Sequence, residues 1–201
     1  MKGLEWFLSG QGYRVLNMDY PSRRLPVARL SEESLHPFLL ANLTDPAVQV
    51  HFVTHSLGGI LLRQYLSTHK LANLGRAVMF APPNQGSELA DRLRFSVIHR
   101  TLLGPSMLQL GTDSESLPQH LGPVVFELGV IAGDRSLNPL FAQQLPLPND
   151  GKVSVASTQV AGMKDFVVVH RSHTWIMWDR EMLRQTACFL ANGSFRTRPG
   201  W

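Results

Sequence analysis

The sequence predicts an α/β fold with a mostly parallel sheet and helices on both faces. Short β-branched runs alternate with stretches whose apolar residues recur at helical spacing, which is typical of a parallel sheet. The chain has 201 residues, 44% of them hydrophobic, enough to bury one core, so a single domain over 1–201 is expected. Such sheets place their sites at the carboxyl ends of the strands, and candidate residues are expected there.

The predicted elements alternate along the chain as this fold class requires. Predicted strands cover 13–20, 47–53, 77–80, 128–132 and 166–169. Predicted helices cover 1–9, 31–43, 58–68 and 182–190. The second helix is expected to start with Ser31 as its N-cap, because Glu32 and Glu33 follow it and the apolar residues then take helical spacing.

The segment 88–119 does not fit the alternation. It is rich in apolar residues and is interrupted by Gly104-Pro105 and by Gly111. We expect a small cap of one or two helices over the site, and an ordinary crossover helix with a long loop remains the alternative.

Composition excludes several classes of function. The net charge of +4 comes from scattered basic residues without interleaved aromatics, which predicts a solvated surface and no nucleic-acid partner. No apolar run approaches the roughly 18 residues of a membrane span, and no signal peptide is visible, so a cytoplasmic location is expected. The single cysteine, Cys188, excludes metal-binding cysteine pairs. No metal site is expected from the histidines without another assigned role either, because they show no ligand spacing: His36, His51, His69, His99 and His120.

The most informative motif is Thr54-His55-Ser56-Leu57-Gly58-Gly59, which lies between a predicted strand and a predicted helix. A serine hydroxyl becomes a useful nucleophile when a base and oxyanion donors surround it. A sharp strand-to-helix turn with small residues two positions before and after exposes such a serine, although Thr54 stands where glycine is usual. The motif predicts Ser56 as a nucleophile and the Leu57 amide as an oxyanion donor.

A base is expected in the polar loop after the last predicted strand. His173 lies in that loop, whereas His170, the alternative, lies nearer the strand end and suits a structural hydrogen bond. His55 adjoins Ser56, but its side chain is expected to point elsewhere and to have a packing or orienting role.

Three carboxylates are candidates for the acid that orients the base. Asp150 is favoured, because Asn149-Asp150-Gly151 is a turn sequence that projects a short side chain from a loop. Asp134, directly after Gly133 at the end of the predicted strand 128–132, is the alternative acid, and Glu88 is a third option.

With these residues the chain resembles the α/β-hydrolase superfamily, specifically its lipase- and esterase-like members. The resemblance runs over nearly the whole chain and is carried by the Ser56 motif and by four further segments: Gly12–Pro21, Ala81–Ser87, Asn149–Val153 and Ser172–Thr174. It implies the order serine, acid, histidine, which Ser56, Asp150 and His173 match. It also implies cleavage of an ester through an acyl-enzyme, without a cofactor.

The resemblance is incomplete near the N-terminus. A second oxyanion donor is usual in a His-Gly segment after the family's third strand, which lies between the strands resembling 13–20 and 47–53. This chain has no such segment, so either an N-terminally truncated fold or direct pairing of 13–20 with the strand before Ser56 is expected.

The leading functional hypothesis is a serine hydrolase for a small ester with an apolar acyl or alcohol group. A binding-only remnant of the scaffold and an acyltransferase using the same residues are the alternatives. The oligomeric state does not follow from the sequence.

Overall fold

The computed structural model describes residues 1–93, 104–137, 143 and 145–196. These residues contain a four-stranded parallel sheet whose strands adjoin in chain order. The strands are β1 (Val50–His55), β2 (Leu74–Phe80), β3 (Leu128–Gly133) and β4 (Asp165–Val169). The predicted α/β class with a parallel sheet is confirmed.

Helices connect the strands and cover the sheet. They are α1 (Lys2–Ser9), α2 (Val27–Leu30), α3 (His36–Asn42), α4 (Leu57–Thr68), α5 (Glu88–Leu93), α6 (Pro105–Leu108), α7 (Leu117–His120), α8 (Val155–Thr158) and α9 (Arg180–Asn192). A π-helical turn (Ser31–Leu35) joins α2 to α3, and a 3-10 turn (Ile176–Trp178) precedes α9. Within the described ranges, no helix has the length and apolarity needed to cross a membrane.

The two faces of β2 bury different side chains, because successive residues of a strand point to opposite sides. Val78 and Phe80 lie in a core cluster with α1 and α9. Ala77 and Met79 lie in another cluster with Leu62 of α4. Helices therefore cover both faces of the sheet, as predicted.

The predicted strand 13–20 is wrong. These residues are not part of the sheet, and no backbone hydrogen bond joins them to β1. Their side chains divide between two clusters: Tyr13 and Val15 pack on the α1 side, whereas Met18 and Tyr20 pack on the α4 side. Apolar alternation favours an extended backbone, but a strand also needs a neighbour with which to pair. Direct pairing of this segment with the strand before Ser56 is therefore excluded.

The predicted start of the second helix is also wrong. The helical stretch begins at Val27, and Ser31 lies inside it with a buried hydroxyl oxygen that has no hydrogen-bond partner. The amide of Val27 donates to the side chain of Gln109 at 2.7 Å. A distant side chain thus satisfies a donor at the helix start, so no local serine cap is needed.

The segment 88–119 contains α5, α6 and the start of α7, and residues 94–103 lie outside the described ranges. Leu110 is buried in the cluster beside α4, and Met107 packs against the same cluster. The cap over the site and the single-domain organisation remain predictions.

Candidate active site

Ser56 lies alone between β1 and α4. The strand extends to His55, beyond its predicted end at Val53, and the helix begins at Leu57. Ser56 has φ 53° and ψ −123°, a backbone conformation that costs a non-glycine residue on the order of 1–3 kcal/mol. Its amide donates to the Phe80 carbonyl at 2.9 Å, and its carbonyl accepts from Gly59 at 3.0 Å. Backbone hydrogen bonds on both sides therefore hold the strained turn.

Two glycines allow the helix to approach the sheet at this turn. A Cβ on Gly58 would lie 3.4 Å from the Cβ of Thr54, and a Cβ on Gly59 would lie 3.0 Å from both Met79 and Pro82. The space left by Gly58 accommodates Thr54, which stands where glycine is usual. The Thr54 hydroxyl oxygen is buried and has no hydrogen-bond partner.

The structure brings Ser56, His173 and Asp150 into one hydrogen-bonded chain. Nε2 of His173 lies 3.0 Å from the Ser56 hydroxyl oxygen, and Nδ1 lies 2.7 Å from Oδ2 of Asp150. With Asp150 ionised, its carboxylate only accepts, so Nδ1 carries the proton and Nε2 is free to accept from Ser56. His173 and Asp150 are both buried. The arrangement can move the serine proton to the imidazole.

The loop around Asp150 fixes the direction of its carboxylate. Oδ1 accepts from the amides of Lys152 and Val153, both at 2.9 Å, which leaves Oδ2 for His173. The carbonyl of Asp150 also accepts from the His173 amide at 3.1 Å. Gly151 has φ 95°, a conformation that favours glycine, as its place in the turn sequence predicts.

The other predicted acid and base residues lie elsewhere. Asp134 and His170 pair with each other at 2.9 Å, and the His170 side chain is 67% exposed. Oε1 of Glu88 accepts from the hydroxyls of Ser154 and Ser157 at 3.1 and 2.8 Å. Glu88 thereby braces α8, which follows the Asp150 loop. None of the three carries a hydrogen bond to Ser56 or His173 among the described residues.

His55 supports the backbone of His173. Its Nε2 lies 2.9 Å from the His173 carbonyl oxygen, which can only accept, so Nε2 carries the proton. Burial, followed by the proximity of His173, lowers the pKa of His55 to about 4. The ring is therefore neutral at pH 7. The sequence indicated an orienting role but not this acceptor, which belongs to a residue 118 positions away.

Leu57 is the first residue of α4. Amides in the first turn of a helix have no acceptor within the helix, and the Leu57 amide donates to no backbone oxygen in the described part of the chain. Together with the positive end of the helix dipole, this amide suits a negatively charged oxygen next to Ser56.

The buried Arg63 of α4 anchors the surrounding loops, a structural role that its place on the helix after Ser56 indicates, although the sequence does not indicate the acceptors. Its guanidinium donates to the carbonyl oxygens of Asn84, Pro118 and Gly122 at 2.8, 3.1 and 2.7 Å. Burial lowers its pKa to about 10, so it remains charged at pH 7. A lone arginine inside an apolar helical pattern was the available indication in the sequence.

With Ser56 at the end of a parallel strand, the chain has the fold of α/β-hydrolase lipases and esterases. It is similar to the mature lipase BlEst2 of Bacillus licheniformis, with 16% identity and a TM-score of 0.55 over 77% of this chain and 69% of that one. It is also similar to phospholipase PlaB of Legionella pneumophila in complex with thio-NAD, with 15% identity and a TM-score of 0.67 over 94% of this chain and 57% of that one. A third similar structure is the metagenomic carboxyl esterase MGS0156, with 19% identity and a TM-score of 0.57 over 75% of this chain and 52% of that one.

At these identities the similarity establishes the fold alone. The chain spans little more than half the length of the PlaB and MGS0156 chains. No family model and no curated protein matches the sequence.

Proposed function

We propose that the protein is a serine hydrolase that cleaves an ester bond through an acyl-enzyme intermediate. The observation that carries this proposal is the hydrogen-bonded chain from Ser56 through His173 to Asp150. Serine is activated by an adjacent base that a third group orients, and these three residues fit those roles.

In the first step the Ser56 oxygen attacks the ester carbonyl carbon while its proton passes to Nε2 of His173. The carbonyl oxygen takes the electron pair of the double bond, and the Leu57 amide donates to the resulting oxyanion. The positive charge on His173 is stabilised by Asp150, which keeps the Nδ1 proton on the ring.

In the next step the bond from the carbonyl carbon to the alkoxide breaks, and His173 gives its proton to the departing oxygen. The acyl group is then bound to Ser56 as an ester. A water molecule attacks the acyl carbon while His173 takes its proton. The bond from that carbon to the Ser56 oxygen then breaks, the carboxylic acid leaves, and the proton on His173 returns to the Ser56 oxygen.

Apolar residues of the segment 88–119 support an apolar acyl or alcohol group in the substrate. The names of the solved structures given above, a lipase, a phospholipase and a carboxyl esterase, support an ester as the substrate.

The test is covalent labelling by a fluorescent fluorophosphonate, which reacts with activated serines. We expect labelling of the wild-type protein and its loss in Ser56→Ala. Ser67→Ala is the matched control, because Ser67 is exposed on α4 and its hydroxyl donates to the carbonyl of Gln64 in the same helix. Circular dichroism checks that each protein is folded. Labelling that persists in Ser56→Ala would show that the reactive residue lies elsewhere.

A binding-only scaffold is the second candidate, because Leu57 is the one oxyanion donor that we assign. Removal of a single donor costs serine hydrolases on the order of 10²–10³ in kcat. Folded wild-type protein without fluorophosphonate labelling would support binding only. If labelling occurs, product analysis with added alcohols separates hydrolysis from acyl transfer.

A further inference from the structure

Three of the four tryptophans in the chain are exposed. The exposed fractions are 80% for Trp6, 57% for Trp175 and 57% for Trp178, although tryptophan is a highly buried residue on average. Together the three side chains leave roughly 300–500 Å² of mostly apolar surface in water. An apolar patch of that size on a monomer often marks an interaction site.

The three indoles lie on two adjoining elements. The amide of Trp178 donates to the Trp175 carbonyl at 3.1 Å, and side chains three residues apart in such a 3-10 turn point the same way. The six-membered ring of Trp178 lies 3.4 Å from the Cβ position of Gly3 in α1. Trp6 is three residues beyond Gly3, on the same face of that helix. The indoles therefore form one tryptophan strip, which runs from Trp175 through Trp178 to Trp6.

The tryptophan strip starts two residues after His173 in the chain. The amides of Trp175 and of the buried Ile176 both donate to the carbonyl of Ser172, at 3.1 and 3.0 Å. These bonds fix the start of the strip to the loop that carries His173. Neither this turn nor α1 belongs to the segment 88–119, so the strip is separate from the expected cap.

Two cations flank the tryptophan strip. Lys2 begins α1 and Arg180 begins α9, and both are exposed. Within the part of the chain that the structure describes, neither forms an ion pair or a side-chain hydrogen bond. Two nearby carboxylates already have partners: Asp179 pairs with Arg171 at 2.6 Å, and Glu5 accepts from an asparagine at 3.0 Å. Lys2 and Arg180 are therefore available to an anionic partner.

We infer that the tryptophan strip docks the protein on the surface of a bilayer that contains anionic lipid. Indoles favour the headgroup level, where the ring enters an apolar layer while its N–H meets polar groups. The three ring N–H groups have no hydrogen-bond partner among the described residues and are free to donate there. Lys2 and Arg180 attract the anionic headgroups, so apolar contact and charge act together.

The position and the charge of the tryptophan strip favour a bilayer over other occupants. A small ligand needs a concave site, and none of the three indoles lines the cavity of about 670 Å³ beside β1. A second copy adds the same unpaired cations to the contact, which like-charge repulsion opposes. Anionic lipid instead attracts a chain with a net charge of +4. Docking would bring the His173 loop to a layer in which esters with apolar groups are concentrated.

The test is co-sedimentation of the full chain with phosphatidylcholine vesicles, with and without phosphatidylglycerol. We expect the protein to bind the mixed vesicles about tenfold or more tightly than those of phosphatidylcholine alone. Binding to the mixed vesicles should fall about tenfold or more in the double variant Trp6→Ser/Trp178→Ser, and similarly in Lys2→Gln/Arg180→Gln.

Val125→Ser is the matched control. Val125 is 98% exposed but precedes β3, at the opposite end of the sheet from Trp175, so its replacement should leave binding unchanged. Circular dichroism checks that each variant is folded. Trp6→Ser alone, at the most exposed position of the tryptophan strip, should still weaken binding about threefold if the double variant does not fold.

Four outcomes would overturn the inference. These are no vesicle binding by the folded wild type, equal binding with and without phosphatidylglycerol, full binding by a folded tryptophan variant, and a dimer without vesicles that the tryptophan changes abolish. Ser56→Ala should bind vesicles as the wild type does, so failure of fluorophosphonate labelling leaves this inference unaffected.

Discussion

The carboxyl end of β1 and the free edge of β1 differ in how far their hydrogen-bonding groups are paired. At the end, the hydrogen bonds run without interruption from Ser56 through His173 to Asp150. At the edge, no strand of the described chain pairs with β1 on the side away from β2. Every residue of β1 is half-buried, whereas every residue of β3 is buried. Turns at the carboxyl ends of strands can hold side chains in place through local hydrogen bonds. The backbone groups at a strand edge need a neighbouring strand as their partner.

Replacement of Asp150 by Asn has the largest expected effect and tests the hydrogen-bonded chain at the carboxyl end of β1. Asparagine can no longer hold the Nδ1 proton of His173 as a carboxylate does, so kcat/KM for a nitrophenyl ester should fall about 10³–10⁴-fold. Asp134→Asn is the matched control, since Asp134 pairs with His170 at the surface and should change kcat/KM little. Comparable losses in the two variants would contradict the assignment of the acid.

Amide hydrogen exchange along β1 tests the unpaired edge of that strand. Amides of Phe52, Thr54 and Ser56 face β2 and should exchange about a hundredfold more slowly than those of His51, Val53 and His55. NMR measures the two sets in one sample, so each set controls for the other. Uniformly slow exchange along β1 would mean that its edge is already paired, and the contrast between edge and end would disappear.

The same contrast explains what could be predicted from sequence. Local sequence features indicate all three residues that the structure joins at the site. Ser56 lies in a strand-to-helix turn before Gly58-Gly59, Asp150 lies in a turn with Gly151, and His173 lies in a loop after β4. The alternation that predicted a strand at 13–20 defines only an extended backbone.

The contacts that the sequence did not predict join residues that are distant in the chain. Val27 starts its helix with the help of Gln109, 82 residues away, and His55 finds its acceptor 118 residues away. No local pattern encodes either contact.

The pH dependence of stability should connect the two regions, because His55 belongs to β1 while its side chain bonds the His173 carbonyl. The pKa of His55 is about 4 in the folded protein, against an ordinary histidine value of 6.5, so the unfolded chain binds the proton more readily between these two pH values. The contribution of neutral His55 to the free energy of unfolding is fully present above pH 6.5 and is lost as the pH falls toward 4. The loss is roughly 2 kcal/mol between pH 7 and pH 5.

His55→Gln keeps an N–H donor for the His173 carbonyl but does not titrate, so its free energy of unfolding should fall roughly 2 kcal/mol less over the same interval. Urea unfolding of both proteins at pH 7 and pH 5 measures the difference. His51, whose pKa is also lowered by burial, is present in both proteins and cancels from the comparison. Equal losses in the two proteins would show that the His55 side chain is not held neutral against His173, and that the carboxyl end of β1 is less complete than its hydrogen bonds indicate.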